Sequence, residues 1–227
     1  MNFLKTIEQA TPLLLEGIKV TILISLLSLL IGMVIGFLAC IMGMSKNRFL
    51  KGVSAVYIWI IRGTPMIVQA FIVYFGMPQL IQMIEPSFRI EAFTAGVITL
   101  SLNAGAYLSE IFRGGISAVP NGQVEAARSL GLSKGRTMLK VILPQAIKIA
   151  IPSMVNQFII TVKDTSILSV IGLADVVNKA KIYVGKSYAF FETYILVAIY
   201  YLVVISILMV FSKYLEKKFN YERKSNS

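Results

Sequence analysis

The sequence contains no histidine, a single cysteine, and only 15% charged residues. Each scarcity excludes something. Without histidine there is no imidazole to relay protons near neutral pH and no His-based metal site. Cys40 cannot close an intrachain disulfide and, inside an apolar run, reads as a small packing residue. The charge content falls well below the roughly 25% usual in soluble domains. No G-x-x-x-x-G-K-[ST] phosphate loop occurs, so the chain has no nucleotide site of that kind. The absence of G-x-S-x-G and of any metal-ligand cluster leaves an intramembrane enzyme with little support. Acidic residues number 11 against 22 Lys+Arg, a balance of +11. In a soluble protein that excess would suggest nucleic acid. In a chain this apolar it points to cytoplasmic loops and anionic membrane lipid, with no nucleic-acid partner.

What is there is lipid-compatible. The chain is 56% hydrophobic with a mean hydropathy of +0.76. Its 227 residues suffice for about five helices of ~20 residues at ~1.5 Å rise per residue. The expectation is an all-α integral membrane protein, one transmembrane domain over 1–227, with no room for a separate soluble enzyme. Spans are predicted at about 20–45, 65–84, 92–112, 148–171 and 193–212. The first is too long for a signal-peptide apolar core and lacks an A-x-A site. Before it, residues 1–19 carry Lys5, Glu8, Glu16 and Lys19 among leucines, which predicts a short interfacial segment. "IRGTP" at 61–65 predicts a break, with Thr64 as N-cap and Pro65 at the first helical position of the second span.

Lysine and arginine orient these spans. Residues 46–51, 113–148 and 213–227 hold 14 of the 22 Lys+Arg. The N-terminus, 85–91 and 172–190 together hold 6, and Arg62 and Lys163 fall within spans. The positive-inside rule then predicts five crossings with the N-terminus outside and the C-terminus cytoplasmic.

That orientation makes 113–147 a cytoplasmic loop too polar to enter the bilayer. It contains "QVEAARSLGLSKGRTMLKVILPQA". Val124, Ala127 and Leu130 form a short apolar stripe, and Ala126 and Ala127 keep the helix thin enough for a partner's groove. Asn121 is expected to cap this helix, Gly131 to end it, and Ser133 to cap a second one. Pro144 should mark where that second helix bends toward the membrane.

The segment resembles the EAA loop of ATP-binding-cassette (ABC) importer permeases: E-A-A, three residues, G, nine residues, I-x-L-P. Here it reads Glu125-Ala126-Ala127, Gly131 and Val141-Ile142-Leu143-Pro144, with valine for isoleucine the one departure. "RGTP", "LNAGAYLSEIFRGGI" and "VKDTSILSVIG" narrow the resemblance to polar amino-acid permeases of the histidine, glutamine, arginine and cystine type. It covers nearly the whole chain. It implies a type I ABC importer permease fold with a cytoplasmic coupling helix, in a bacterial inner membrane. It also implies two ABC ATPase subunits, a second permease subunit (the same chain or a close paralogue) and an extracytoplasmic solute-binding protein. ATP and Mg would be bound by the ATPases, and this chain would hold no cofactor and no metal. Val124, Glu125, Ala126, Ala127, Leu130, Gly131, Leu143 and Pro144 would be the coupling residues.

Charges inside spans cost on the order of 2.5–3.5 kcal/mol on insertion scales, so they need a partner or a task. Ser153, Gln157, Thr161 and Asp164 share one helical face, with Asn156 and Lys163 on its edge. Thr99, Asn103, Tyr107 and Glu110 share another. A zwitterionic amino acid could place its ammonium on Asp164, with Thr165 and Ser166 offering hydroxyls and Arg62 or Lys163 meeting its carboxylate. The candidate substrate contacts are therefore Asp164, Thr165, Ser166, Lys163, Asn103, Gln157, Thr161 and Arg62. Glu110 and Arg113 are expected to form a gate or interfacial ion pair. Two alternatives stay open: a permease for methionine or a metal chelate, and a self-sufficient ion-coupled transporter or channel. The docking segment argues against the second, since a channel has no use for one.

Overall fold

The computed structural model describes residues 3–225, with side chains placed through 218. The end of the basic tail, counted above for orientation, lies outside the residues whose side chains are described. Among the described residues every regular element is helical. In order they are α1 Phe3–Met44, α2 Arg48–Gly63, α3 Met66–Phe71, α4 Met77–Ile81, α5 Ala92–Ser117, α6 Asn121–Ser129, α7 Lys134–Thr137, α8 Leu143–Asp164, α9 Val176–Ser187 and α10 Phe190–Ser225. Wide π turns, Ile72–Gly76 and Met138–Ile142, join α3 to α4 and α7 to α8, and a 3₁₀ turn, Thr165–Ile171, continues α8.

α1 is one helix of 42 residues, with Pro12 inside it. Of the short interfacial segment expected at 1–19, residues 3–19 are thus its first turns. Packing explains the continuity: Ala10 and Leu14 are buried against Val176 and Ala180 of α9 and Leu196 and Val197 of α10. That cover offsets the hydrogen bond lost at proline. The helices over the third and fifth predicted spans also run past their expected ends, to Ser117 and Ser225.

α5 is the centre of the bundle, between α1 and α8. Lipid gives little hydrophobic drive for helix association, so close backbone approach has to supply the contact. Gly32 and Gly36 of α1 provide it. A Cβ on Gly36 would meet the Gly105 carbonyl oxygen at 2.8 Å, and one on Gly32 would meet Ala104 Cβ at 3.1 Å. On the α8 side, a Cβ on Gly115 would meet the Ala146 carbonyl oxygen at 2.7 Å.

Both π turns precede prolines, Pro78 and Pro144. A proline ring clashes with the carbonyl four residues back and offers no N–H. Widening the preceding turn relieves both problems, so the chain passes Pro144 without ending the helix. Among the described residues, α1, Lys134–Ile171 and Phe190–Lys218 are long and apolar enough to cross a membrane. The pair Arg48–Gly63 and Met66–Ile81, bent by 105°, makes a fourth when counted as one.

Candidate functional site

The 105° break exposes helix-end carbonyls that need partners in a low-dielectric setting. Gln69 supplies them. Its Nε2 donates to Ile61 O at 2.7 Å, Thr64 O at 3.1 Å and Thr64 Oγ1 at 2.9 Å. Thr64 Oγ1 donates back to Ile60 O at 2.8 Å. Thr64 therefore closes α2, and Pro65 takes the N-cap place of α3, which corrects the expected capping at this break. Asn103 of α5 then donates its Nδ2 to Gln69 Oε1 at 3.5 Å, tying the break to the central helix.

A cavity of about 360 Å³ opens beside this break. Ile61, Thr64, Pro65 and Met66 form the wall at the break, and α5 adds Asn103 and Tyr107. α8 adds Gln157, Ile160 and Asp164. The volume lies at the lower end of the roughly 300–1,000 Å³ of small-molecule sites. Its lining mixes apolar side chains with two amides, a phenol, a hydroxyl and one carboxylate. Among the described residues the Asp164 carboxylate accepts no hydrogen bond.

Of the expected substrate contacts, Asp164, Asn103 and Gln157 come together on this cavity. The others do not line it. Thr161 is buried and donates to Gln157 O at 2.9 Å. Thr165, also buried, donates to Val162 O at 2.8 Å, and Ser166 donates to Lys163 O at 2.7 Å. Those two bonds to carbonyls three residues back sit where α8 tightens into its 3₁₀ turn, so neither hydroxyl is free to offer its proton. Lys163 is exposed and off the lining. Ile61, Thr64, Pro65, Met66 and Ile160 went unread as wall residues. The sequence signal for four of them was the break itself, since a bent helix leaves a concave side.

Arg62 lies at the rim. Its guanidinium sits 5.2 Å from the centroid of the Tyr107 ring, and Nη1 lies 3.8 Å from Glu110 Oε2. Glu110 also pairs with Arg113 one turn along α5. The expected Glu110–Arg113 pair is thus present, with Arg62 as a third member.

Just beyond this C-terminal end of α5, the polar loop folds as two short helices. α6 ends at Gly131, whose φ of +82° suits glycine. Leu132 N–H donates to Ala127 O at 3.1 Å and Gly131 N–H to Arg128 O at 3.0 Å, the paired bonds of a Schellman C-cap. Ser133 caps α7 by accepting from Arg136 N–H at 3.4 Å. Asn121, expected as a cap, is instead the first helical residue, and no side chain caps α6. The stripe divides as well. Ala127 is buried, and Val124 packs on Val119, Ile142 and Ala146 of the same chain. Leu130 is 83% exposed, and Glu125, Ala126 and Ser129 are exposed beside it. Of the two alanines expected to fit a partner's groove, Ala127 is therefore buried within its own chain, while Ala126 stays exposed. Of the remaining coupling candidates, Leu143 is half-buried and Pro144 exposed.

Residues 28–221 match the family described as binding-protein-dependent transport system inner membrane component. The arginine transport system permease protein ArtQ of Bacillus subtilis is 39% identical, with 96% of this chain and 97% of that protein covered. The glutamine transport system permease protein GlnP of Escherichia coli is also 39% identical, over 92% and 94%. A solved amino acid ABC transporter with histidines superposes with a TM-score of 0.88 at 39% identity, covering 96% of this chain and 99% of that one. An inward-facing methionine transporter, MetNI, gives 0.75 at 17% identity over 91% and 96%, a likeness of fold alone.

Proposed function

Since this chain belongs to the family of binding-protein-dependent transport system inner membrane components, we propose that it is the permease subunit of an ATP-driven amino-acid importer. The observation that carries the substrate reading is the cavity at the break in the second span. It presents the Asp164 carboxylate, which accepts no hydrogen bond among the described residues, with the amides of Asn103 and Gln157, and has a guanidinium, Arg62, at its rim. An α-amino acid is a zwitterion, and these groups complement both of its charges. Asp164 takes the ammonium, Arg62 the carboxylate, and the amides orient the rest. Thr161, Thr165 and Ser166 shape the end of α8 without touching substrate.

In this reading α1, the bent pair, α5, α8 with its 3₁₀ turn, and α10 make five crossings. In α5 the polar residues Thr99, Ser101, Asn103 and Ser109 are buried inside the protein and do not face lipid. The N-terminus lies outside. α6 faces the cytoplasm and couples the subunit to two ABC ATPases, which bind ATP and Mg themselves. The exposed side, with Glu125, Ala126 and Leu130, makes the contact, while Val124, Ala127, Gly131, Leu143 and Pro144 hold its shape. A second permease subunit and an extracytoplasmic binding protein complete the importer.

The test is ATP hydrolysis by the purified complex with its binding protein, screened against L-arginine, L-glutamine, L-histidine, L-methionine and metal chelates. Stimulation by one of the three polar amino acids is expected. Stimulation by methionine or a chelate alone would replace this substrate class with another.

A further inference from the structure

We propose that Glu110 is a built-in competitor for the substrate carboxylate: it holds Arg62 at the rim of the cavity and yields it when an amino acid enters. The inference rests on the amino-acid reading of the cavity and adds a role for a residue outside its lining.

The geometry around Arg62 is that of a parked side chain. Its guanidinium lies over Tyr107, itself a wall residue, and its neighbours Ile61 and Thr64 also form the wall. Its separation of 3.8 Å from Glu110 is beyond hydrogen-bond reach. The two side chains are 43% and 31% exposed, so their attraction is weakened by solvent. Glu110 meanwhile keeps a hydrogen-bonded partner in Arg113, three residues along α5. When Arg62 leaves, Glu110 is still neutralised. An ordinary isolated pair would leave a carboxylate stranded on separation; this trio does not.

The charge balance points the same way. Two guanidinium groups share one carboxylate, so the rim carries a net +1, while on the α8 side Asp164 lines the cavity and its neighbour Lys163 lies exposed off the lining. A zwitterion entering between the rim and Asp164 meets both. Its carboxylate offers Arg62 a charge-assisted, bidentate contact in place of a long and solvent-weakened one. The backbone need not move. Gln69 and Thr64 fix the break, and the half-exposed Arg62 side chain can swing on its own torsions. A carrier must release what it binds. Glu110 supplies the return partner for Arg62, and it filters out ligands that lack a carboxylate able to displace it.

The test uses the permease–ATPase complex without binding protein, so that only the membrane site is read. Equilibrium binding is measured for L-arginine, L-glutamine and L-histidine, and for the carboxamide of whichever binds most tightly. Glu110→Gln should raise affinity for the amino acid by about five-fold and leave the carboxamide unchanged. Arg62→Gln should weaken the amino acid by about ten-fold and abolish its preference over the carboxamide. Adding Glu110→Gln to Arg62→Gln should change nothing further. If Glu110→Gln does not assemble, Glu110→Asp, which draws the carboxylate back from Arg62, should shift affinity in the same direction. Wild-type affinity in an assembled Glu110 variant, or an equal gain with Arg62 already removed, overturns the competition. Absence of binding by all three amino acids to the wild-type complex overturns the amino-acid reading itself, and this inference with it.

Discussion

At the scale of single residues, helical spacing located Gln157, Asp164 and Asn103, and all three meet on the cavity. Spacing failed for Thr161, which shares the α8 face of Gln157 and Asp164 but does not line the cavity, its hydroxyl donating to Gln157 O. A face of a helix is read from one sequence; where a neighbouring helix begins to cover it is not. Thr165 and Ser166 failed for another reason. Their hydroxyls have carbonyls within reach wherever a helix tightens, and a residue pattern does not announce that tightening. Gln69 had no periodic partner and so no signal beyond its place just after the break. Asp175 gives a residue-scale prediction outside the spans. Its carboxylate caps α9 by accepting from Val177 and Asn178 N–H, yet it is fully buried. Burial pushes its pKa up to about 6, against the pull of those two donors and of Lys181. A carboxyl with a raised folded pKa contributes stability that is full below the ordinary carboxylate range and lost as pH rises through about 6. Asp175→Asn removes the charge and keeps one of the two cap acceptors, a loss that does not change with pH. Melting of the purified complex should show the variant gaining on wild type by on the order of 1–3 kcal/mol between pH 4 and pH 7.5. A constant gap across that range would contradict the assignment.

At the scale of elements, the sequence made the break at 61–65 and the two-helix polar loop legible, because proline, glycine and capping residues act locally. It did not show that α1 would run unbroken through Pro12 or that α6 would turn Ala127 inward. Both outcomes depend on distant segments, α9 and α10 in one case and the π turn before Pro144 in the other. The outward face of α6 now carries the coupling prediction. Leu130→Asp should reduce ATPase retention on co-purification by about five-fold or more, the equivalent of ~1 kcal/mol, and leave the permease folded. Ala127→Arg should instead lower the yield of folded permease, since arginine replaces a buried alanine. Normal ATPase retention by Leu130→Asp would place the ATPase contact elsewhere.

At the scale of the whole molecule, the amino-acid sequence carried the all-helical class and the orientation argument through composition and charge, which need no contacts. It could not carry the cavity, because that space exists only where three helices separated along the chain converge. In a Cys40→Ser background, a cysteine at Ser87 should react with a membrane-impermeant thiol reagent from outside, and one at Ser133 only from inside. External labelling at Ser133 would put α6 on the wrong side for any cytoplasmic ATPase. The most direct measurement of the central claim is uptake of the stimulating amino acid into proteoliposomes holding this permease, its ATPases and its binding protein, at limiting permease. The account predicts uptake that requires ATP and falls about ten-fold or more in Asp164→Asn, because a charge-assisted contact of roughly 1.5–3 kcal/mol becomes a weaker neutral one. Wild-type uptake by an assembled Asp164→Asn complex, or accumulation without ATP, would contradict it.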